Sequence, residues 1–81
     1  MKQVWKYPIR QRPIEMPTDA KVVHFGMQGG QAMVWVEVGV TNVTSARDLC
    51  VYGTGHEIPE HAKHLGTCFD GPFVWHLYDR G

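Results

Sequence analysis

Apolar and polar residues alternate along most of this chain, and Gly or Pro interrupts the alternation roughly every 8–12 residues. A period of two puts successive side chains on opposite faces of a strand, and no window of about twelve residues keeps helical spacing without meeting Gly or Pro. We therefore predict a mainly β protein with about six short strands, forming a small antiparallel sheet, a barrel or a two-layer sandwich. With 81 residues, we expect a single domain over 1–81.

The clearest local prediction is a hairpin at Gly29-Gly30, since two glycines suit the positive φ angles of a tight turn. Its strands cover residues 21–28 and 31–38, with Val34 and Val36 on one face and Trp35 on the other. Further strands are predicted at 3–9, 47–52, 66–69 and 73–78, with a short extended piece at 14–16 and a polar turn at 39–45. Residues 59–65 predict at most one short helical turn, ended by Gly66.

The charges of the chain balance, with eight Lys+Arg against eight Asp+Glu. This balance makes a dedicated nucleic-acid binder unlikely and gives no reason to expect a membrane surface as partner. Residues 1–15 are basic and residues 48–81 are acidic, so the two ends can attract each other within one chain or between copies. An open sheet also leaves two edges, and we therefore predict a homo-oligomer, most simply a homodimer.

No apolar run is long enough for a signal segment or a membrane span, so we expect the protein to stay in the cytoplasm. Cys50 and Cys68 are then expected to be reduced thiols, and their positions inside apolar strands predict that both lie in the core. Neither thiol has a recognisable activating partner in the sequence, and no catalytic motif is complete. We therefore predict that the chain is not an enzyme.

A candidate ligand site lies in the loop Gly53-Thr54-Gly55-His56. Its backbone N–H groups suit a small anionic ligand, but the loop lacks the Lys of a phosphate-binding loop, and a turn that needs positive φ explains the glycines equally. His56 has two possible roles. A ring nitrogen bonds the backbone of the loop, or the ring faces a ligand or partner.

Two other groups of side chains suggest binding. His61, His64 and Cys68 are weak candidates for a zinc site if a helical turn brings the histidines to one face, but neither zincin motif is present and no cofactor is predicted. Exposed aromatic residues suit a protein interface, and for this role we select Trp5, Tyr7 and Trp35. The lysines beside Trp5 also suit single-stranded nucleic acid, although edge lysines equally prevent aggregation.

The chain resembles a family of short, uncharacterised proteins of tailed phages and prophages. The resemblance rests on VWKYP at residues 4–8, IEMP at 14–17, GTGHEIP at 53–59, LGT at 65–67 and VWH at 74–76. It implies an accessory protein in the cytoplasm of the host cell that binds a host macromolecule, with inhibition of a host defence system as one such role. Two alternatives remain: a small-molecule or nucleotide binder that uses the loop at 53–56, and a small metal-binding or enzymatic domain.

Overall fold

A computed structural model describes residues 1–10 and 12–81, and these residues form eight strands and no helix. The strands are β1 (Gln3–Pro8), β2 (Ile14–Pro17), β3 (Lys21–Gln28), β4 (Gln31–Val38), β5 (Thr44–Arg47), β6 (Leu49–Gly53), β7 (Lys63–Asp70) and β8 (Phe73–Asp79). They pair antiparallel as β1-β4-β3, β2-β5 and β6-β8-β7. The predicted mainly β class with small antiparallel sheets is confirmed. Within the described residues, no helix could cross a membrane.

The two three-stranded sheets enclose one hydrophobic core. Alternate residues of β4 face it, and Val34 and Val36 are fully buried, as is Leu77 of the central strand β8. The β2–β5 ribbon contributes Ile14 and Met16 to the same cluster. Burying an aliphatic side chain stabilises the fold by about 1.5–3 kcal/mol. The period of two places such side chains on one face of each sheet, so the two apolar faces pack against each other.

The sheets approach each other closely where β7 crosses β3. A Cβ atom on Gly66 would lie 3.3 Å from the Phe25 Cβ, closer than an ordinary van der Waals contact. The missing side chain at Gly66 therefore allows the two strands to pack together, although they are not hydrogen-bonded to each other.

The predicted hairpin is present, with Gly29 and Gly30 at φ angles of 58° and 75°. Phe25 faces the core, but Val23, which the period of two places on the same face, is 49% exposed. A bulge between Val22 and His24 shifts the register and turns Val23 outward.

The strand number is eight rather than six because the extended piece at 14–16 forms β2 and residues 44–47 form β5, and a further difference concerns residues 59–65. Thr44 and Ser45 were predicted in a polar turn, with the next strand from residue 47, but residues 44–47 form β5, which pairs with β2. Residues 59–65 hold no helix: the Ala62 N–H donates to the Pro59 carbonyl in a single turn, and β7 begins at Lys63. A bulge between His64 and Gly66 interrupts the period of two there, which concealed the first part of β7.

Candidate functional site

The loop at residues 53–56 is a tight turn that its own histidine closes. The His56 N–H donates to the Gly53 carbonyl at 3.1 Å, and the Gly53 N–H donates to His56 Nδ1 at 3.2 Å. Gly55 has a φ of 91°, a conformation that favours glycine. The structure therefore shows the backbone contact expected of a structural His56, although the residue is exposed to solvent.

This turn forms one wall of a cleft of about 450 Å³, here named the turn cleft. It is lined by Gly53, Thr54, His56, Pro72, Phe73, Val74 and Trp75. The rings of Phe73 and Trp75 stack with their centroids 5.6 Å apart and an interplanar angle of 21°. Of the residues that the structure describes along this cleft, none is Lys or Arg, so the cleft offers an aromatic surface and little positive charge.

A chain of hydrogen bonds crosses the outer face of the β6-β8-β7 sheet. The Thr67 hydroxyl lies 2.9 Å from His64 Nε2 and 3.1 Å from His76 Nδ1. The other ring nitrogen of His76, Nε2, lies 2.9 Å from the Thr54 hydroxyl. A hydroxyl donates one hydrogen bond and accepts others, and a ring nitrogen donates or accepts according to the tautomer, so all three contacts can be satisfied together.

Aromatic contacts extend this chain into a patch, which we name the His–Tyr face: Tyr52, Thr54, His64, Thr67, His76 and Tyr78. The Tyr78 ring meets Tyr52 edge to face at a centroid distance of 5.8 Å and meets His64 at 5.2 Å. His64 thus takes part in both the hydrogen bonds and the ring contacts. Contacts among its own side chains restrain the patch, and such preorganisation lowers the ordering cost of binding.

The three candidate zinc ligands do not converge. Cys68 faces the core opposite Trp75, whereas His64 lies on the outer face opposite Tyr78. His61 instead approaches the Arg80 carbonyl, with its Nε2 2.9 Å from that oxygen. Among residues 1–10 and 12–81, no group of three or more His, Cys, Asp or Glu side chains is arranged to hold a metal ion. β7 is a strand rather than a helical turn, so His61 and His64 do not share the helical face that the zinc hypothesis requires.

The two thiols have different surroundings, and both are free. Cys68 is buried as predicted, and burial, followed by the charge of Asp70, raises the pKa of its thiol above the ordinary 9.0. Cys50 was also predicted in the core but is half-buried on the outer face, because it shares that face with its pairing partner Tyr78.

The selected aromatic residues do not form one surface. Trp5 and Tyr7 lie on the core side of β1, opposite Val36 and Val34, whereas Trp35 lies on the outer side. Tyr7 packs against the core, and burial raises the pKa of its phenol above 10.0. Trp5 is 44% exposed, and its indole N–H donates to the Gln3 side chain at 2.9 Å.

Trp35 packs against its own sheet. On the outer side, its ring lies 5.1 Å from the His24 ring. Trp35 and Tyr7 are both half-buried, so of the three selected aromatic residues only Trp5 is exposed.

Sequence analysis missed the contribution of Thr67 and His76 to a shared face. The signal was present in the period of two, since His76 and Tyr78 alternate with the core residue Leu77. Their partners on β7 could not be assigned, because the bulge after His64 changes which residues face outward.

The sequence was also compared with known proteins. No curated protein and no solved structure matches it. A family model does match, over residues 1–81, and its description is a domain of unknown function, DUF7352. Since that match covers the whole chain, the protein belongs to the DUF7352 family.

Proposed function

We propose that this chain is a binding protein whose β1 edge pairs with an extended, acidic segment of another protein. The observation that carries the proposal is the exposure of β1. Val4 and Trp5 lie on opposite faces of this strand and are 58% and 44% exposed. Large apolar side chains exposed on both faces of one strand become covered when a partner strand is added beside it.

The backbone of β1 supports the same mode of binding. Among the described strands, β1 pairs only with β4, so its other edge offers unpaired N–H and C=O groups. An added strand would satisfy these groups with main-chain hydrogen bonds, while the side chains of Val4 and Trp5 would select the partner sequence.

Charge supports an acidic partner. Lys6 and Arg10 form no ion pair in the part of the chain that the structure describes, whereas Lys2 lies 3.3 Å from Glu37. A neutral strand gains nothing from these cations, and a second basic strand is repelled by them. Acidic residues in the partner would speed encounter and fix its register.

The resemblance to short proteins of tailed phages and prophages supports a partner from the infected host cell. We propose that this partner is a host protein, such as a component of a defence system, and that the chain acts in the host cytoplasm.

A crosslinking experiment tests the β1 edge. A photoreactive residue at Val4 identifies a partner in host lysate, and its affinity is then measured by calorimetry with purified proteins. We expect Trp5→Ala to weaken binding by about tenfold or more, because a large ring at the centre of an interface is a typical hot spot. We also expect affinity to fall as salt rises.

Phe69→Ala is the matched control, because Phe69 is 77% exposed on the other sheet. It should bind like the parent. Equal affinity of Trp5→Ala and parent, or recovery of chaperones alone, would contradict the proposed function.

A second candidate function is the binding of a small planar ligand, such as a nucleotide, in the turn cleft. The stacked rings of Phe73 and Trp75 and the volume of about 450 Å³ favour it, since clefts of this size hold small ligands. Native mass spectrometry of freshly purified protein tests this function directly, because a retained small molecule adds its mass to that of the chain.

A further inference from the structure

A second cleft, of about 340 Å³, lies between the two sheets near the tips of the β3–β4 and β7–β8 hairpins. We name it the inter-sheet cleft; it is lined by Met27, Gly30, Ala32, Val51, Asp70 and Trp75. It shares Trp75 with the turn cleft but no other residue, and it contains no residue of β1.

The walls of the inter-sheet cleft continue the hydrophobic core. Met27 and Ala32 are paired neighbours on β3 and β4, and both pack against the core cluster. Val51 and Trp75 do so from the other sheet. Protein interiors are normally filled to the density of organic crystals, so an open apolar space beside the core suits an apolar group from outside.

One charged group faces this apolar space. Among the described residues that line the cleft, Asp70 alone carries a charge, and it is half-buried. One carboxylate oxygen, Oδ2, accepts from the Trp75 indole N–H at 3.4 Å. Within the described chain, no cation lies within ion-pair distance of Asp70.

The negative charge of Asp70 also acts on the interior of the sheet. Cys68 lies two residues earlier on the same strand, and the Asp70 charge contributes, after burial, to the raised pKa of its thiol. A carboxylate at the edge of an apolar space attracts a cation more strongly than one in bulk water, because the local dielectric constant is lower.

We propose that the inter-sheet cleft binds a small organic cation, a free alkylammonium whose charged end pairs with Asp70. Its carbon chain would contact Met27, Ala32 and Val51, and the Trp75 ring would add a cation–π attraction. The volume of about 340 Å³ is at the small end of the range for ligand sites, which suits a short chain. This site is separate from the β1 edge, so it extends the proposed function.

Three probes of equal chain length test the charge preference: n-hexylammonium, n-hexanol and n-hexanoate. Binding is measured by calorimetry and by NMR. The NMR signal of the Trp75 indole N–H should shift on binding, because this group is hydrogen-bonded to Asp70. We expect the ammonium to bind about tenfold more tightly than the alcohol, because its hydrogen bond to the Asp70 carboxylate is charge-assisted. The carboxylate should bind weakest, because Asp70 repels it.

Two variants separate the charge from the cleft. Asp70→Asn keeps an acceptor for the Trp75 indole, so the fold is retained and the preference for ammonium over alcohol should disappear. Ala32→Leu fills the space and should weaken all three probes. Glu57→Gln is the matched control, because it removes one negative charge from an exposed residue outside both clefts.

Several results would overturn the proposal. These are equal binding of the ammonium and the alcohol by the parent, no binding of any probe at millimolar concentration, or an unchanged preference in Asp70→Asn. A fourth probe, N-acetyl-lysine methylamide, presents the same cation as a protein side chain. Tighter binding of this probe than of n-hexylammonium would also overturn the proposal of a free amine, since the cleft would then favour a lysine of a partner protein.

Discussion

His56, Gly53 and Gly55 each have a different role in the turn at residues 53–56. Gly55 supplies the positive φ of 91°. Gly53 instead provides space, because a Cβ atom there would lie 3.0 Å from His56 Cε1. The imidazole can therefore lie over the backbone of Gly53 and accept its N–H. The sequence predicts a turn at this place, but only the geometry distinguishes the roles of the two glycines.

We predict that His56→Ala lowers the free energy of unfolding by roughly 0.5–1.5 kcal/mol, the net value of one hydrogen bond. The loss stays modest because His56 is exposed, so water can replace the lost acceptor. His56→Asn should retain most of the stability, since its side-chain oxygen occupies nearly the position of Nδ1. Urea denaturation of the three proteins measures the difference.

Binding assays on the same variants test the other role of His56. If His56→Ala unfolds like the parent but loses a partner or ligand, the hydrogen bond to Gly53 has no structural importance and the ring acts in recognition. A stability loss in His56→Asn as large as that in His56→Ala would mean that the ring contacts matter more than the acceptor.

At the scale of strands, the period of two succeeds where a strand is regular and fails where it bulges. It predicts the hairpin of β3 and β4 and the burial of Val34 and Val36. It misplaces Val23 and the start of β7, because each bulge inserts a residue that reverses the following faces. A bulge depends on the strand that pairs beside it, and that partner is not encoded in the local pattern.

The contact between β7 and β3 gives a prediction for these strands. Gly66→Val should lower the free energy of unfolding by about 1–3 kcal/mol, because the added side chain overpacks the contact and pushes against Phe25 and its strand. Phe69→Val, an exposed change on the same strand, should stay within about 0.5 kcal/mol of the parent. Thermal and urea unfolding provide the measurement, and equal stability of the two variants would mean that the sheets can separate at Gly66 without cost.

Over the whole molecule, ion pairs within one chain already engage part of the acidic segment 48–81. Asp48 lies 3.9 Å from Arg12 of the basic segment and 3.1 Å from Arg80, and Asp79 lies 3.2 Å from Arg47. Some of the charge expected to attract a second copy is therefore used internally. Self-association then depends more on the open strand edges. The balanced charge of the sequence gives no information about these edges.

Two of the edge strands, β1 and β6, differ in what they offer to a second copy. β1 carries Lys6, whose charge disfavours pairing with an identical strand, whereas β6 has no charged residue from Leu49 to Gly53 and pairs only with β8 among the described strands. We therefore predict a homodimer through β6, which leaves β1 free for a different partner.

Cys50→Lys tests the homodimer, because it places like charges near each other across a β6–β6 interface while its side chain lies on the outer face of the sheet. Light scattering at tens of micromolar should give twice the 9.2 kDa chain mass for the parent and the single chain mass for Cys50→Lys. Ala46→Lys, an exposed change on β5, adds the same charge away from this edge and should remain dimeric. If light scattering gives the mass of a single chain for the parent, the predicted homodimer is wrong. If Cys50→Lys still has twice the chain mass, β6 is not the edge that forms the dimer.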